Sequence, residues 1–330
     1  MLDEIIKEYK EEASSEKRDW RTYEERLTKR LHKAFKELKP LVHEAVSSIS
    51  IVKGENKGAN SLLTLEQKVL VLLLKHLFGK SNRNMAAMMA VFTWLTDISV
   101  CYKTVERLYS DEQVILALHN LHVLILKQKD LKEAECTGDG TGYALTVKKH
   151  YATEAQKLKD KMKENSEKRK NNGKKSKRAE FIYSFALMDV DTRMHIGCGT
   201  SFKSEKEAFL NAMDMAKETD VNVNSLRLDR YYSAQSYVKL CQGYLGKMKL
   251  YMIPKTNATI NGCWQWKRML YEFVNGTKEY LKEYYKRNQS ESGFAEDKRR
   301  TGWKLKQKRP DRVDTANFCT SLWHNLHWLG

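Results

Sequence analysis

The spacing of hydrophobic residues changes near residue 130. Upstream, apolar residues recur at helical intervals. Residues 17–49 carry them amid many charges, and LTLEQKVLVLLLKHLF follows with Thr64 and Gln67 at capping-box spacing. NRNMAAMMAVFTWL comes next, then a short break at Thr96–Ser99, then CYKTVERLYSDEQVILALHNLHVLILK, read as one helix. Small residues in one helix (Ala86, Ala87, Ala90), a tight break and a helix bearing Tyr102, Lys103, Thr104 and Arg107 suggest a helix-turn-helix. A plain helical bundle accounts for the same pattern. Downstream the period shortens. Tyr143, Leu145 and Val147 alternate, FIYSFALMDVDTRMHIGCGTSF reads as a hairpin turning at Asp189–Arg193, and SEKEAFLNAMDMAKE reads as a helix. A short strand ending at Leu228, a helix over AQSYVKLCQGYL, a strand in MKLYMIPK and further helices complete the order β-β-β-α-β-α-β-α.

These changes divide the chain. A charged helical arm (1–53) precedes a low-complexity hinge, KGENKGAN (53–60), and a helical region over 61–128. A mixed α+β domain spans 129–330, with a basic loop at 152–179 and a short helical insertion at 258–276.

Charge narrows the class of partner. The formal net charge is +17 and the pI about 9.4. Residues 157–178 hold eleven Lys/Arg against three acids, and residues 282–312 hold eleven against five. Cations localised in this way suit a phosphate backbone, where they displace counterions. No apolar run reaches membrane-spanning length, and the acidic start MLDEIIKEYKEEASSEKRDW lacks the apolar stretch of a signal peptide. Six scattered cysteines without Cys-x-x-Cys fit reduced thiols. The expectation is a cytoplasmic, nucleoid-associated protein.

Candidate chemistry centres on Tyr284, Arg287, Glu291 and Lys298, spaced Tyr-x2-Arg-x3-Glu-x6-Lys. On one helix over 282–300 these offsets return to one side of the cylinder. An acid ringed by a guanidinium, an ammonium and a phenol suits a metal held beside a phosphodiester. Two further acids lie upstream, Asp139 in CTGDGTGYAL and Asp229 in LRLDRYYS.

With these motifs the chain resembles the DDE transposases of bacterial and archaeal insertion sequences, in the class bearing a Tyr-Arg-Glu-Lys signature. The resemblance covers roughly residues 130–330. The separations, 90 residues from Asp139 to Asp229 and 62 from Asp229 to Glu291, suit such a core. It implies a ribonuclease-H-like mixed sheet flanked by helices, in which two strand acids and one helix acid converge. It implies that Asp139, Asp229 and Glu291 bind two divalent metals, and that Tyr284, Arg287 and Lys298 contact phosphates at the transposon end. Oxygen-only ligands suit Mg²⁺ or Mn²⁺. The implied activity is metal-dependent cleavage and strand transfer on double-stranded DNA, by a homodimer holding two ends. Some relatives carry a long β-rich insertion before the last acid; here the helical segment INGCWQWKRMLYEFVNG stands in its place. A ribonuclease-H-like nuclease or resolvase, and a non-catalytic DNA-binding regulator, are the competing readings.

Weaker signals receive plainer readings. Gly138-Asp-Gly140-Thr-Gly142 runs into a strand rather than a helix, so it is not a nucleotide loop. The pairs His119/His122 and His324/His327 have no partner Cys or His nearby in sequence and read as core or surface histidines. Asp189 and Asp191 suit a hairpin turn. Trp264 and Trp266 diverge by about 200° on a helix, leaving one to pack and the other free to stack on an unpaired base. Lys255 and Asn257, near the Asp229 side, are further DNA-contact candidates. Glu296, about 140° from Glu291 around the helix, is expected to face away and pair with Arg300.

Overall fold

The structure is a computed structural model and describes residues 4, 6–7, 22–49, 63–91, 100–145, 181–307 and 309–329. The hinge at 53–60, the break at Thr96–Ser99 and the basic loop at 152–179 lie outside the described residues.

Among the described residues, helices α1 (Tyr23–Ser47), α2 (Leu65–Leu77), α3 (Asn82–Val91), α4 (Tyr102–Arg107) and α5 (Glu112–Gln128) precede the sheet. Thr64 and Gln67 form the capping box read from sequence, each side chain bonding the other's backbone N–H. The single helix expected over 101–127 is instead two. Asp111 accepts hydrogen bonds from the backbone N–H groups of Gln113 and Val114, capping α5 and ending the helical run that began at Tyr102.

The core is one mixed sheet in the order β3-β2-β1-β4-β5. Its strands are β1 (Glu133–Leu145), β2 (Phe181–Asp189), β3 (His195–Ser201), β4 (Asn222–Leu228) and β5 (Lys249–Tyr251); β6 (Lys304–Leu305) pairs with the end of β1. β1, β2 and β3 are antiparallel neighbours, while β4 runs parallel to β1 and β5 parallel to β4. The central strand is therefore β1, as the ribonuclease-H-like reading requires. The β2–β3 hairpin turns where expected. Asp189 accepts bonds from the backbone N–H and hydroxyl of Thr192, and Arg193 takes the left-handed conformation (φ 61°) that closes the turn.

Helix α6 (Glu205–Lys217) lies against β2 and β3. It approaches closely because Gly199 has no side chain: a Cβ there would sit 2.1 Å from the carbonyl oxygen of Ala208. Helices α7 (Gln235–Leu245), α8 (Trp264–Asn275), α9 (Thr277–Tyr285), α10 (Asn288–Thr301) and α11 (Pro310–Leu329) follow. Helix α11 shows no apolar stripe because it is buried all round, between β3 and the N-terminal helices α1, α2 and α5, and its buried polar residues such as Thr315, Asn317 and Asn325 are hydrogen-bonded. Its Trp323 is fully buried, and the indole N–H donates to the carbonyl of Leu73 in α2. Helices and sheet thus share one continuous hydrophobic core. Among the described residues no helix is long and apolar enough to cross a membrane.

Candidate active site

The parallel pairing of β1 with β4 sets Gly138 opposite Leu228. Asp139 and Asp229, each one residue further on, are therefore neighbours at the sheet's centre. Asp139 lies within β1 and is mostly buried, and one of its oxygens accepts the N–H of Gly140. Asp229 directly follows β4 and caps the 3₁₀ turn Arg230–Tyr232.

Glu291 is brought near enough to act on the charge of Asp139 because the first turn of α10 is bonded to β1. Residues two apart on a strand share a face, so Thr137, Asp139 and Thr141 form one row. Thr137 Oγ1 lies 2.9 Å from Ser290 Oγ, and Lys298 Nζ donates to Thr141 Oγ1 at 2.6 Å. The helix is thus pinned on either side of Asp139, with Glu291 next to the first pin. Arg227, two residues before Asp229 and buried, does the same for α9. It donates to the carbonyl oxygen of Glu283 at 2.8 Å and forms ion pairs with the carboxylates of Glu283 and Glu135.

The single helix expected over 282–300 is broken. Around Lys286 and Arg287 the backbone bonds run from residue i to i−3: Arg287 N–H to Tyr284, Gln289 to Lys286, Ser290 to Arg287. This tighter 3₁₀-like turn separates α9 from α10, so the four signature residues do not share one straight cylinder. Tyr284 and Glu291 still converge on Arg287. Its guanidinium is 3.2 Å from Glu291 Oε1, 4.0 Å from Asp139 Oδ2 and 5.7 Å from the Tyr284 ring centroid. Its Nε is buried without a partner. Tyr284 is itself buried (3 % exposed), whereas the side chain of Glu291 is 57 % exposed. Lys298 stands over the rings of Trp303 and Tyr143 at 4.8 and 5.3 Å.

Electrostatics mark Asp139 as the centre of the group. Burial pushes its pKa up to about 6; the Gly140 N–H and Arg287 pull down, and the charges of Glu291 and Asp229 push further up. Both neighbours therefore act on Asp139 directly. The donor set is three carboxylates, hard oxygen ligands suited to Mg²⁺ or Mn²⁺, so the residues present fit a divalent ion.

A fourth acid escaped the sequence reading. A Cβ on Gly140 would lie 2.7 Å from the Glu205 carboxyl, and Tyr232, which senses Asp139, donates its hydroxyl to Glu205. Nothing in the sequence links position 205 to 140; the glycine's spare face is the only trace.

The remaining candidates scatter. Lys255 packs on the turn after Asp229, bonding the Tyr231 carbonyl at 3.1 Å and facing its ring at 5.9 Å. Lys103 and Arg107 are exposed on α4, which packs against α3. Trp266 is buried and Trp264 is 61 % exposed, as their divergence on α8 requires. His122 is core, its ring nitrogen 3.3 Å from the Ile196 carbonyl oxygen.

One sequence reading needs correction, and the core reading of His324 gains partners. Arg300 pairs with Asp297 at 3.2 Å, not with Glu296, because the three-residue offset brings it over the buried acid. His324 does have partners, brought from afar by the fold. Its Nδ1 is 2.9 Å from Asp297 Oδ1, its Nε2 is 2.7 Å from the Arg193 carbonyl oxygen, and its ring stacks on His195 at 3.8 Å. Both ring nitrogens therefore face oxygen atoms, which hold the ring between Asp297 and the β2–β3 turn. Ligand atoms of His195, Asp297 and His324 lie within 4.8 Å of one another. His324 Nε2 is taken up by the Arg193 carbonyl and Asp297 also pairs with Arg300, so the cluster is satisfied by the protein's own groups.

No protein-family model matches the chain. Two strand acids and a helix acid thus lie close together on a mixed sheet in a strongly basic chain. The chain is 39 % identical over 328 residues to a "Probable transposase for insertion sequence element ISA1214" of Archaeoglobus fulgidus, covering 99 % of this chain and 92 % of that protein. It belongs to the family of prokaryotic insertion-sequence transposases.

Proposed function

We propose that this transposase cuts the ends of its element and joins them to target DNA by metal-dependent phosphoryl transfer, with Asp139, Asp229 and Glu291 as the DDE acids. The observation that carries the reading is the convergence just described: strand pairing makes the two aspartates neighbours, and the Thr137–Ser290 bond brings Glu291 to them. The three carboxylates would hold two divalent ions, Mg²⁺ or Mn²⁺. When bound, the ions supply activation of the attacking oxygen and stabilisation of the leaving oxygen. Asp139, between its two neighbours, gives up its proton to become a ligand. Arg287 and Lys298 hold the non-bridging phosphate oxygens and orient the scissile bond; Tyr284 backs Arg287 and keeps water from its inner side. Lys255 receives the strand beside Asp229, and Lys103 and Arg107 on α4 read the element's end. Two ends must be held together, so the active form is a homodimer on double-stranded DNA.

The test uses labelled duplexes bearing the element's terminal sequences, with a second duplex as target. Mg²⁺-dependent nicks leaving 3′-hydroxyl ends, followed by joined products, are expected. Cleavage that persists in EDTA would remove the metal role, and nicking without joining would favour a nuclease.

A further inference from the structure

The helical run that carries the signature residues breaks where its sequence holds neither proline nor glycine. Residues 282–292 read KEYYKRNQSES. A helix that kinks without those residues does so where a side chain or water enters its i→i−4 ladder. In an uninterrupted α-helix the N–H of Arg287 bonds the carbonyl of Glu283. Here that carbonyl accepts Nε of Arg227 at 2.8 Å, and the Arg287 N–H turns to Tyr284 at 3.1 Å. Lys286 tightens the same turn, its N–H bonding Glu283 at 3.3 Å. On the far side Ser290 takes the Arg287 carbonyl. A strand arginine has entered the helix ladder.

Arg227 is fixed in the place from which it does this. It is fully buried in β4. Its Nη1 bonds Ser225 Oγ at 2.8 Å and the Cys136 carbonyl at 3.5 Å; its Nη2 pairs with Glu135 at 2.9 Å and with the Glu283 carboxylate. With Nε on the Glu283 carbonyl, all five N–H groups have acceptors. The guanidinium also stands over the Tyr251 ring of β5 at 5.1 Å. A buried ion pair often stabilises no more than apolar residues of the same volume. Glu135 and Glu283, with side chains 45 % and 33 % exposed, would be solvated without it. What an apolar residue could not supply is the donor to the Glu283 carbonyl.

We propose that Arg227 is a positioning residue: by drawing the Glu283 carbonyl out of the helix ladder it bends the chain at Lys286–Arg287 and sets the Arg287 guanidinium against Asp139 and Glu291. Arg287 is the group the bend serves, at 3.2 Å from Glu291 and 4.0 Å from Asp139. Arg227 precedes Asp229 by two residues, so one strand both supplies an acid and places the phosphate-holding arginine relative to it. The proposal rests on the transposase chemistry assigned to these acids.

The experiment follows single-turnover, Mg²⁺-dependent cleavage of a labelled element-end duplex by full-length protein, with thermal unfolding of each variant alongside. Arg227→Met keeps much of the volume and removes every donor. It should cut about a hundredfold more slowly, the effect of misplacing a positioned group by about 1 Å. Arg227→Lys keeps the charge beside Glu135 and Glu283 but lacks the planar fork that also reaches the carbonyl. It should unfold like wild type and still cut slowly. The deciding measurement is a double-mutant cycle with Arg287→Ala. Arg227→Met/Arg287→Ala should cut within about twofold of Arg287→Ala alone, because a side chain that is absent cannot be misplaced. A wild-type rate in Arg227→Met, full recovery by Arg227→Lys, or the whole hundredfold loss repeated on the Arg287→Ala background would each overturn the positioning role alone. A wild type that does not cut with Mg²⁺ would overturn the transposase chemistry and this role with it.

Discussion

Ser290 and Thr137, 153 residues apart, meet hydroxyl to hydroxyl at 2.9 Å, and this bond sets where the helix bearing Glu291 begins relative to the strand bearing Asp139. Ser290 also donates to the Arg287 carbonyl at 2.7 Å, closing the tight turn between α9 and α10. Ser290→Ala removes one hydrogen bond from each oxygen in a buried place, while Thr137 Oγ1 keeps the Arg287 carbonyl at 3.4 Å and that carbonyl keeps the Ser290 N–H. It should cost about 1 kcal/mol of stability, read by urea unfolding. The larger expected effect is on geometry: a tenfold or greater fall in cleavage rate with end binding intact. Equal activity would show that α10 is held without this bond.

Asp139 gives a pH-dependent prediction. Its pKa is raised to about 6 from an ordinary 3.8, chiefly by burial. A raised carboxyl favours the protonated form in the folded state, so stability from this group is highest at low pH. It is lost as pH rises through about 6. A divalent ion needs the carboxylate, so binding at pH 6 must expel the proton that half the molecules carry. Calorimetric titration of Mn²⁺ in two buffers of different ionisation enthalpy should show release of about half a proton at pH 6 and almost none at pH 8. Asp139→Asn should abolish the difference between buffers along with cleavage.

The elements were largely legible in sequence, the joints between them less so. The β2–β3 hairpin, the cap at Thr64 and the helices around Asp229 carry local signals: alternation, turn residues, a hydroxyl three residues before a glutamine. The break at Arg287 carries none. A helix tightened by three-residue bonds has nearly the composition of one that is not, and Ser290 needs Thr137 from a distant strand to explain it. Arg227 was missed for the same reason. Its neighbours in LRLDRYYS say nothing of Glu283 and Glu135, which make it the buried hub behind Asp229. Glu205 meets Gly140 across two elements. His324 looked partnerless because Asp297, His195 and the Arg193 carbonyl all come from elsewhere in the chain. Periodicity reports which face of an element is buried, not which group will stand opposite.

The buried Asp297–His324 pair can be tested by removing one side or both. Burial raises the Asp297 pKa, but the His324 charge, with His195 and Arg300 behind it, more than offsets this and leaves it below the ordinary 3.8. A depressed carboxyl stabilises the fold above its unfolded pKa, and that stability is lost as pH falls below about 4. Asp297→Ala takes the buried partner from Arg300 and from His324 Nδ1 and should cost about 3–5 kcal/mol at neutral pH. Asp297→Leu/His324→Met removes both charges and should cost much less than the single change. If the double variant is as unstable as the single, the pair is not an ion pair.

Glu291 and Glu296 are both acids on α10, five residues apart, and the structure separates them. Glu291 is exposed, 3.2 Å from Arg287, and raises the pKa of Asp139. Glu296 is half-buried on another face, and the charge it acts on is Arg30 of α1. A metal ligand must share space with Asp139, which only Glu291 does. Glu291→Gln keeps the shape and removes the charge, so Mg²⁺-dependent strand cleavage should fall by at least a thousandfold, roughly 4 kcal/mol in barrier. Glu296→Gln should remain active. Arg287→Ala should fall between them, because it loses phosphate positioning while leaving the acids in place. Its effect should shrink in Mn²⁺, which tolerates looser ligand geometry than Mg²⁺. Gel-based cleavage assays on one labelled end, run in parallel with binding of the same duplex, separate loss of chemistry from loss of DNA. A dead Glu296→Gln beside an active Glu291→Gln would mean that α10 turns its other face to the strand acids, and the Tyr-Arg-Glu-Lys assignment would fall with it.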